Sequence, residues 1–228
     1  MLDTFIFNLI NKNLIKVYRS TIEKFGYNAM GLHWSSKSSQ EKRFFLINNL
    51  MKKYIPSNHA KIADLGCGFG DFYEFLKHRN YNYIYKGYDI NPEMIDYCKK
   101  KFQSSLFEIS DEPTEMCDFT IISGTYNYAI FNSEKLWEKY LIHNLKKCFM
   151  KSSSGLIFNL QVSSKTKIVN NIYYAGHDFI NKTLKENFKN VFYFSFLSTP
   201  KDGYFVILRN EKIVLPPGLK DTNCDCIS

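Results

Sequence analysis

The sequence predicts an α/β fold: a mostly parallel sheet of about seven strands with helices on both of its faces. From residue 59 onward, short apolar segments alternate with helical patterns, and this order is typical of parallel sheets with crossover helices. The last two apolar segments are joined by a turn that contains Pro200 and Gly203, which predicts an antiparallel hairpin at one edge of the sheet. Before residue 59 the apolar spacing is helical only, which predicts an N-terminal helical extension.

The predicted elements follow one another in regular order. In the extension, apolar residues three and four apart predict a helix over residues 4–25 and a second one from about Ser38 to just before Pro56. Beyond it, short apolar runs predict strands at 61–65, 83–88, 106–109, 119–123, 155–162, 191–197 and 204–208. Helices are predicted at 71–79, 92–102, 133–149 and 178–188. Proline at position 92 supports the second of these, because its fixed φ suits the first turn of a helix.

These elements predict one domain with three parts. Apolar residues make up 45% of the 228 residues, which is enough to fill one large core. No internal repeat and no low-complexity linker divides the chain. We therefore expect a helical extension or lid at residues 1–58, a core at 59–210 and a polar tail at 211–228.

The net charge of +8 is weak evidence for a nucleic-acid partner. Lysine accounts for 26 of the 30 basic residues, and arginine, the better side chain for phosphates and bases, occurs four times. Residues 1–59 and 141–228 each carry +6, whereas residues 60–140 carry −4. This distribution suits a cationic ligand in the middle of the chain and an anionic one bound by the flanks.

The cysteines and the apolar segments predict a cytoplasmic protein. None of the six cysteines forms a C-x-x-C pair, so we expect neither a metal site nor a disulfide framework. No basic run precedes the first apolar residues, as a signal peptide would require. No apolar stretch approaches the roughly 18 residues of a membrane span, so we expect no membrane partner.

A glycine loop gives the strongest functional signal. The segment D-L-G-C-G-F-G at residues 64–70 lies between a predicted strand and a predicted helix. Alternate glycines let the backbone turn sharply and let a ligand lie against the main chain, and open parallel sheets bind ligands at this end of their strands. Asp89 ends the next strand, where a carboxylate accepts hydrogen bonds from the hydroxyls of a ribose. Together these features predict a site for a nucleoside.

Two classes of nucleoside cofactor are considered as the ligand of this site. The dinucleotide fingerprint G-x-G-x-x-G would place its third glycine at position 71, which is Asp71. A carboxylate at a helix start repels a pyrophosphate, which needs the positive end of the helix dipole. Acidic groups at Asp64 and Asp71 instead suit a cofactor without phosphate that carries a sulfonium and an ammonium group, such as S-adenosylmethionine. A glycine turn without a ligand remains the third alternative.

The two motifs resemble those of the class I S-adenosylmethionine-dependent methyltransferases. The similarity rests on residues 64–70 and on G-Y-D-I-N-P-E-M at 87–94, and it extends over about residues 32–209. Further segments resemble a bacterial, small-molecule branch of these enzymes: G-L-H-W-S-S at 31–36, Q-x-x-R-F at 40–44, S-G-T-Y-N at 123–127 and F-N-L at 158–160. The family implies a Rossmann-like, doubly wound fold, S-adenosylmethionine as cofactor and S-adenosylhomocysteine as product.

The resemblance also assigns cofactor-binding residues. The glycine loop and its acid would line the methionine part, Asp89 would hold the ribose, Ile90 would lie against the adenine, and Asp111 would contact the adenine amino group. A guanidinium at Arg43 would clamp the methionine carboxylate. The full set implied is Trp34, Gln40, Arg43, Asp64, Gly66, Cys67, Gly68, Gly70, Asp89, Ile90, Asp111, Ser123 and Gly124.

The acceptor side is expected beside the end of the fourth predicted strand. Amino-methylating DNA enzymes of the wider family carry an Asn/Asp-Pro-Pro-aromatic run there, so S-G-T-Y-N argues against a nucleobase amine. The residues expected to bind the acceptor are Thr125, Tyr126, Asn127 and His177, whereas Tyr128 is expected to pack under the following helix. His33 and Tyr126 are the candidate catalytic residues, because an acceptor that must lose a proton needs a general base.

Four function classes follow from these motifs, of which we predict the first. It is a methyltransferase that acts on an oxygen or nitrogen of a small-molecule acceptor with an anionic group. The second is an RNA or protein methyltransferase that uses the basic flanks, and the third is a non-catalytic module that binds S-adenosylmethionine. A nicotinamide oxidoreductase is disfavoured by Asp71.

Overall fold

The computed structural model describes residues 2–55, 57 and 59–210, so the predicted tail at 211–228, with Cys224 and Cys226, lies outside the described residues. The helices are α1 (Leu2–Phe25), α2 (Lys37–Tyr54), α3 (Asp71–His78), α4 (Pro92–Phe102), α5 (Glu134–Lys151) and α6 (Leu184–Asn187), with a 3₁₀ turn at Ala29–Leu32 and a π-helical turn at Phe179–Thr183. The strands are β1 (Lys61–Leu65), β2 (Ile84–Asp89), β3 (Phe107–Ile109), β4 (Cys117–Ser123), β5 (Ser152–Val162), β6 (Lys167–Val169), β7 (Ile172–Ala175), β8 (Asn190–Ser195) and β9 (Asp202–Leu208).

The nine strands of the described residues form one mixed sheet, which confirms the predicted fold class. Strands β3, β2, β1, β4 and β5 lie side by side in that order and pair in parallel. Strand β9 pairs antiparallel with β5, and β8 pairs with β9 at the edge, as the turn between them predicted. The strand order reverses between β1 and β4, and ligands of open α/β sheets bind at such a switch point.

Apolar side chains fill both faces of the sheet. On one face, α1 and α5 pack through residues such as Ile10, Leu14 and Trp137. On the other face, α2 and α3 pack through residues such as Ile47 and Phe72. Within residues 2–210, no described helix is both long and apolar enough to cross a membrane.

The hairpin of β6 and β7 was not predicted from the sequence. Its two-residue turn is Asn170-Asn171, and both residues have positive φ angles of 51° and 61°. Asparagine tolerates this conformation, and such two-residue turns match the twist of paired strands, so the Asn-Asn pair was the available signal. Strand β7 pairs with the end of β5 at Gln161 and Val162, beyond the last residue of β4. The hairpin therefore extends the sheet at the carboxyl end of β4.

The helix predicted at residues 178–188 is divided into a π-helical turn and the short α6. Phe179 and Leu184 are both fully buried although they are five residues apart. A π-helical turn bonds residues five apart and therefore places both side chains on the same face. Because both side chains are buried on one side, this segment forms a π-helical turn where the spacing alone predicted one continuous helix.

Candidate active site

The glycine loop after β1 is held by main-chain hydrogen bonds. The N–H groups of Gly66 and Cys67 donate to the Tyr88 carbonyl at 2.7 and 3.0 Å. Gly66 has a φ of +74° and Gly68 a φ of +54°, a region that side-chain-bearing residues rarely adopt. A methyl group added at Gly66 would lie 2.4 Å from Thr125 Cγ2, and one at Gly68 would lie 2.9 Å from Leu32 Cδ1. The loop therefore needs glycine both for its conformation and for the close approach of its neighbours.

Asp89 joins the glycine loop to the start of α4. Its Oδ2 accepts a hydrogen bond from the Gly68 N–H at 3.0 Å, and its Oδ1 accepts one from the Asn91 N–H at 2.9 Å. Burial raises the pKa of Asp89 above its ordinary value, and these N–H groups offset part of the rise by stabilising the carboxylate. Asp89 therefore holds two backbone segments in register while it faces the cavity described next.

A first cavity of about 750 Å³ opens at the carboxyl ends of β1, β2 and β4, where ligand sites of this fold class lie. The structure brings eight of the predicted cofactor-binding residues to its wall: Trp34, Gly66, Gly68, Asp89, Ile90, Asp111, Ser123 and Gly124. Leu14, Tyr18, Met94 and Tyr140 also line it and were not predicted. No lysine or arginine of the described residues lines this cavity.

Helix α1 crosses the end of the first cavity at Asp111. The Lys147 ammonium lies 2.7 Å from Asp111 Oδ1, and Asn11 Nδ2 donates to Asp111 Oδ2 at 3.3 Å. The Tyr140 hydroxyl donates to Asn11 Oδ1 at 2.5 Å. Asn11 therefore links α1 to the loop after β3 and to α5, and α1 contributes Leu14 and Tyr18 to the wall of the cavity.

Three predicted cofactor residues lie behind the loop and do not line the first cavity. The Asp64 carboxylate is buried and accepts a hydrogen bond from the Tyr85 hydroxyl at 2.6 Å. Gly70 precedes α3 and packs against Phe102 of α4. Cys67 is buried, and burial raises the pKa of its thiol. These residues contact the rest of the protein and not the cavity. Motif spacing alone does not show which side of the loop a residue faces.

Gln40 and Arg43 also have partners other than those predicted. Gln40 Nε2 donates to Asp71 Oδ2 at 3.0 Å, at the start of α3. Arg43 forms an ion pair with Asp202 at 2.8 Å and donates to the Ser39 carbonyl at 2.9 Å. The Arg43 guanidinium also lies 5.1 Å from the centre of the Trp34 ring. Neither residue lines the first cavity, and the clamp of Arg43 on the methionine carboxylate stays a prediction.

Arg43 lines a second cavity of about 690 Å³ that adjoins the first. The two cavities share four lining residues: Tyr18, Leu32, Trp34 and Gly124. The Trp34 ring packs so closely on Gly124 that a methyl group added there would lie 2.7 Å from it. The remaining wall is polar or aromatic and contains His33, Ser35, Ser39, Arg43, Asn127, Tyr128 and Gln161, with Ile172 from β7.

The residues predicted to bind an acceptor are divided between the two cavities. Thr125 lines the first, and its hydroxyl donates to the Leu65 carbonyl at 2.9 Å. Tyr126 also lines the first, where it is 4% exposed and where burial raises its pKa well above the ordinary value. Asn127 lines the second and accepts a hydrogen bond from the Gln161 N–H at 2.9 Å. Tyr128, which we expected to pack under the following helix, lines the second cavity too.

The structure does not bring His177 to this site. It lines a separate cavity with Val162, Tyr193 and Pro200, on the side of the π-helical turn. His33, in contrast, lines the second cavity, where its ring stacks on Tyr128 with centroids 4.3 Å apart. The hairpin of β6 and β7 supports this wall, since the Tyr173 N–H donates to the Asn127 carbonyl at 2.8 Å.

Gly66→Ala is expected to destabilise the fold and to weaken ligand binding in the first cavity. A left-handed φ costs a residue with a side chain about 1–2 kcal/mol, and the clash with Thr125 adds about 1–3 kcal/mol of overpacking. Gly26→Ala is the matched control, because Gly26 has a φ of +76° and its added methyl would meet nothing closer than Asn28 Nδ2 at 3.8 Å. The measurement is the free energy of unfolding of both variants in urea. The difference between their losses of stability gives the cost of the clash with Thr125, and equal losses in both variants would contradict the clash.

The first cavity fits S-adenosylmethionine better than a dinucleotide. Its bare glycine backbone and the Asp89 carboxylate complement the ribose of a phosphate-free cofactor. The lack of basic side chains among its described lining residues leaves a pyrophosphate without a counter-charge.

Comparisons with known proteins agree with this fit. Residues 62–150 match the family model described as a methyltransferase domain. A protein of Mycobacterium tuberculosis named as a methyltransferase is 27% identical over 119 residues, which cover 50% of this chain and 72% of the relative. A carboxy-S-adenosyl-L-methionine synthase of Campylobacter jejuni is 34% identical over 74 residues, which cover 32% of this chain and 31% of that enzyme.

Solved structures show the same fold at low sequence identity. Magnesium protoporphyrin IX methyltransferase of Synechocystis, solved with bound S-adenosylhomocysteine, superposes with a TM-score of 0.54 at 15% identity and covers 91% of this chain and 99% of that one. An S-adenosylmethionine-dependent methyltransferase of Leishmania major gives a TM-score of 0.57 at 12% identity and covers 87% of this chain and 82% of that one. Over residues 62–150 the chain is therefore similar to a methyltransferase domain, and its fold is that of S-adenosylmethionine-dependent methyltransferases.

Proposed function

We propose that this methyltransferase moves a methyl group from S-adenosylmethionine in the first cavity to a small molecule in the second. The observation that carries the proposal is that the two cavities adjoin and share the residues around Trp34 and Gly124. A donor and an acceptor bound in these cavities would therefore lie next to each other.

The residues that line the first cavity are proposed to hold the cofactor. Asp89 would accept hydrogen bonds from the ribose, and Ile90 with Met94 would provide an apolar wall for the adenine. Gly66 and Gly68 would lie against the methionine part, because their backbone is bare. Ser123 and Gly124 end β4 between the two cavities, where the methyl group would point towards the acceptor.

We propose that the acceptor is uncharged and polar rather than anionic. Arg43 is the one charged side chain among the described residues that line the second cavity, and its charge is already paired with the buried Asp202. An anion would have to compete with a carboxylate 2.8 Å from the guanidinium. The other polar groups are hydroxyls and amides, such as Ser39 and Asn127, and they suit a neutral compound that forms hydrogen bonds.

The protein acts on this reaction by alignment and by exclusion of water. When bound, the cofactor supplies a methyl group that is already activated on a cationic sulfur. Trp34 and Tyr18 form the shared wall of both cavities and would fix the relative positions of the two reactants. Such orientation contributes up to about 7–11 kcal/mol in model reactions. Tyr126 would contribute shape, because a phenol whose pKa is raised by burial is a poor proton acceptor at neutral pH.

The proposal is tested with S-adenosylmethionine labelled in its methyl group. The purified chain is incubated with a bacterial small-molecule fraction and, separately, with RNA and protein fractions. Label is expected in the small-molecule fraction. The Asp89→Asn variant is expected to bind the cofactor about 100-fold more weakly by calorimetry, since a hydrogen bond from a ribose hydroxyl to a charged group contributes about 1.5–3 kcal/mol.

Asp96→Asn is the matched control for that variant, because Asp96 is an exposed acid on α4. Its cofactor affinity is expected to equal that of the unaltered chain. Label that enters RNA or protein and not the small molecules would overturn the acceptor class. Unaltered affinity in Asp89→Asn would overturn the placement of the cofactor in the first cavity.

A further inference from the structure

The backbone fixes His33 in an uncommon conformation at the second cavity. Its φ is +61°, in the left-handed region, directly after the 3₁₀ turn. The His33 N–H donates to the Met30 carbonyl at 3.0 Å, and the next N–H, of Trp34, donates to the Ala29 carbonyl at 2.9 Å. A non-glycine residue in this region carries strain, and such residues concentrate at functional sites.

The two contacts of the Thr21 hydroxyl indicate the tautomer of the His33 ring. Thr21 Oγ1 donates its single proton to the Val17 carbonyl, one turn earlier in α1, at 2.9 Å. The same oxygen lies 3.2 Å from His33 Nε2 and has no second proton to give, so it accepts there. Both contacts of Thr21 Oγ1 are hydrogen bonds only when Nε2 carries the hydrogen. In a neutral imidazole, Nδ1 is then an unprotonated acceptor.

Nδ1 is available for a ligand. Within the described part of the chain it has no hydrogen-bond partner, and the ring lies in the wall of the second cavity. The ionisable and charged groups that face His33 are Tyr18 of α1, Tyr128 of the loop after β4, and Arg43 of α2. None of them is a carboxylate, and the partial loss of hydration of the His33 ring, which keeps an exposed side, lowers its pKa below the ordinary value of 6.5. The imidazole is therefore neutral at pH 7.

We propose that His33 Nδ1 is the general base of this enzyme, that Thr21 is its positioning residue, and that the acceptor is a hydroxyl compound. This inference rests on the proposed function and names its substrate class. The acceptor oxygen forms a bond to the methyl carbon while the bond between sulfur and methyl breaks and leaves its electron pair on sulfur. The hydroxyl proton moves to Nδ1, and the resulting imidazolium keeps its Nε2–H on Thr21 until Nδ1 loses the proton to water.

The tautomer is tested without any acceptor, so its failure is distinct from failure of the proposed function. Nitrogen NMR of histidine-labelled protein at pH 8 is expected to show His33 with a protonated Nε2 and an unprotonated Nδ1. Thr21→Val is expected to turn this signal into a mixture of tautomers, and Thr21→Ser to restore it. Thr4→Val, at an exposed position of the same helix, is the matched control and should leave the signal unaltered.

The catalytic role is tested by kinetics. His33→Gln keeps an N–H group for Thr21 and removes the base, so kcat is expected to fall by about 10²–10⁴ while the cofactor affinity stays within twofold. Thr21→Val is expected to lower kcat about tenfold with KM unaltered. In the unaltered chain, kcat/KM is expected to rise with pH to a plateau reached by pH 7, since the neutral ring is the active form. His33→Gln should lack this rise.

Three results would overturn the inference while methyl transfer itself stands. They are a protonated Nδ1 in the unaltered chain, undiminished kcat in His33→Gln, and a Thr21→Val variant with an unaltered tautomer. Discovery that the acceptor atom is a thioether or a carboxylate would overturn it as well, because neither has a proton that needs a base at pH 7.

Discussion

Arg43→Met is expected to destabilise the protein by about 3–5 kcal/mol. The variant leaves the Asp202 carboxylate buried without its counter-charge, since the Asp202 side chain is 1% exposed and that of Arg43 is 13% exposed. Removal of one partner from a buried ion pair has this cost because the remaining charge cannot be hydrated. The measurement is the free energy of unfolding in urea at pH 8.

Two further variants distinguish the effect of breaking the ion pair from the effect of removing any arginine side chain. The double variant Arg43→Met with Asp202→Leu is expected to recover most of the loss, because apolar replacement of both partners of a buried pair is often neutral. Arg19→Met is the matched surface control, since Arg19 is 59% exposed and lies 3.8 Å from Glu93. It is expected to alter stability by less than about 0.5 kcal/mol. A double variant as unstable as Arg43→Met would contradict the explanation.

Asp64→Asn is expected to remove a pH dependence that the buried carboxyl group imposes. Burial raises the pKa of Asp64 from 3.8 to about 7, although the Tyr85 hydroxyl lowers it in part. Between those two values the folded protein keeps a proton that the unfolded chain releases. The contribution of this group to stability therefore falls by about 1.4 kcal/mol per pH unit as pH rises from about 4 to 7, and it is constant above 7.

The measurement is the difference in unfolding free energy between Asp64→Asn and the unaltered chain at several pH values. That difference is expected to grow in favour of the variant by about 2–3 kcal/mol from pH 5 to pH 7. Asp96→Asn is again the control, because Asp96 is exposed, and its curve should run parallel to that of the unaltered chain. A difference that does not vary with pH would contradict the raised pKa.

Local pattern predicted the elements that form contiguous stretches of chain. Strand β1 and helix α4 begin and end at the predicted residues, and most other bounds differ by one to three residues. The glycine loop and Asp89 are also predictable from sequence, because adjacent parallel strands end at the same edge of the sheet. Asp64, Gly70 and Cys67 belong to that motif, yet spacing does not reveal which side of the loop faces a ligand.

Features that join distant parts of the chain were not predictable in this way. Arg43 and Asp202 meet because α2 and the start of β9 pack together, and nothing in either local sequence indicates the partner. The same holds for Asn11, which reaches Asp111 and Tyr140 from α1. The hairpin of β6 and β7 was missed for another reason, since its two strands have three and four residues and carry little periodicity.

The sequence by itself determined the order of elements, the glycine turn and the acid one strand away. These depend on backbone conformation and on periodicity, both of which are properties of neighbouring residues. Only the tertiary structure decided that a second cavity adjoins the first, that Arg43 is paired with Asp202, and that Thr21 Oγ1 lies 3.2 Å from His33 Nε2. Those features depend on distances between separate elements, and such distances are set by how the helices pack on the sheet.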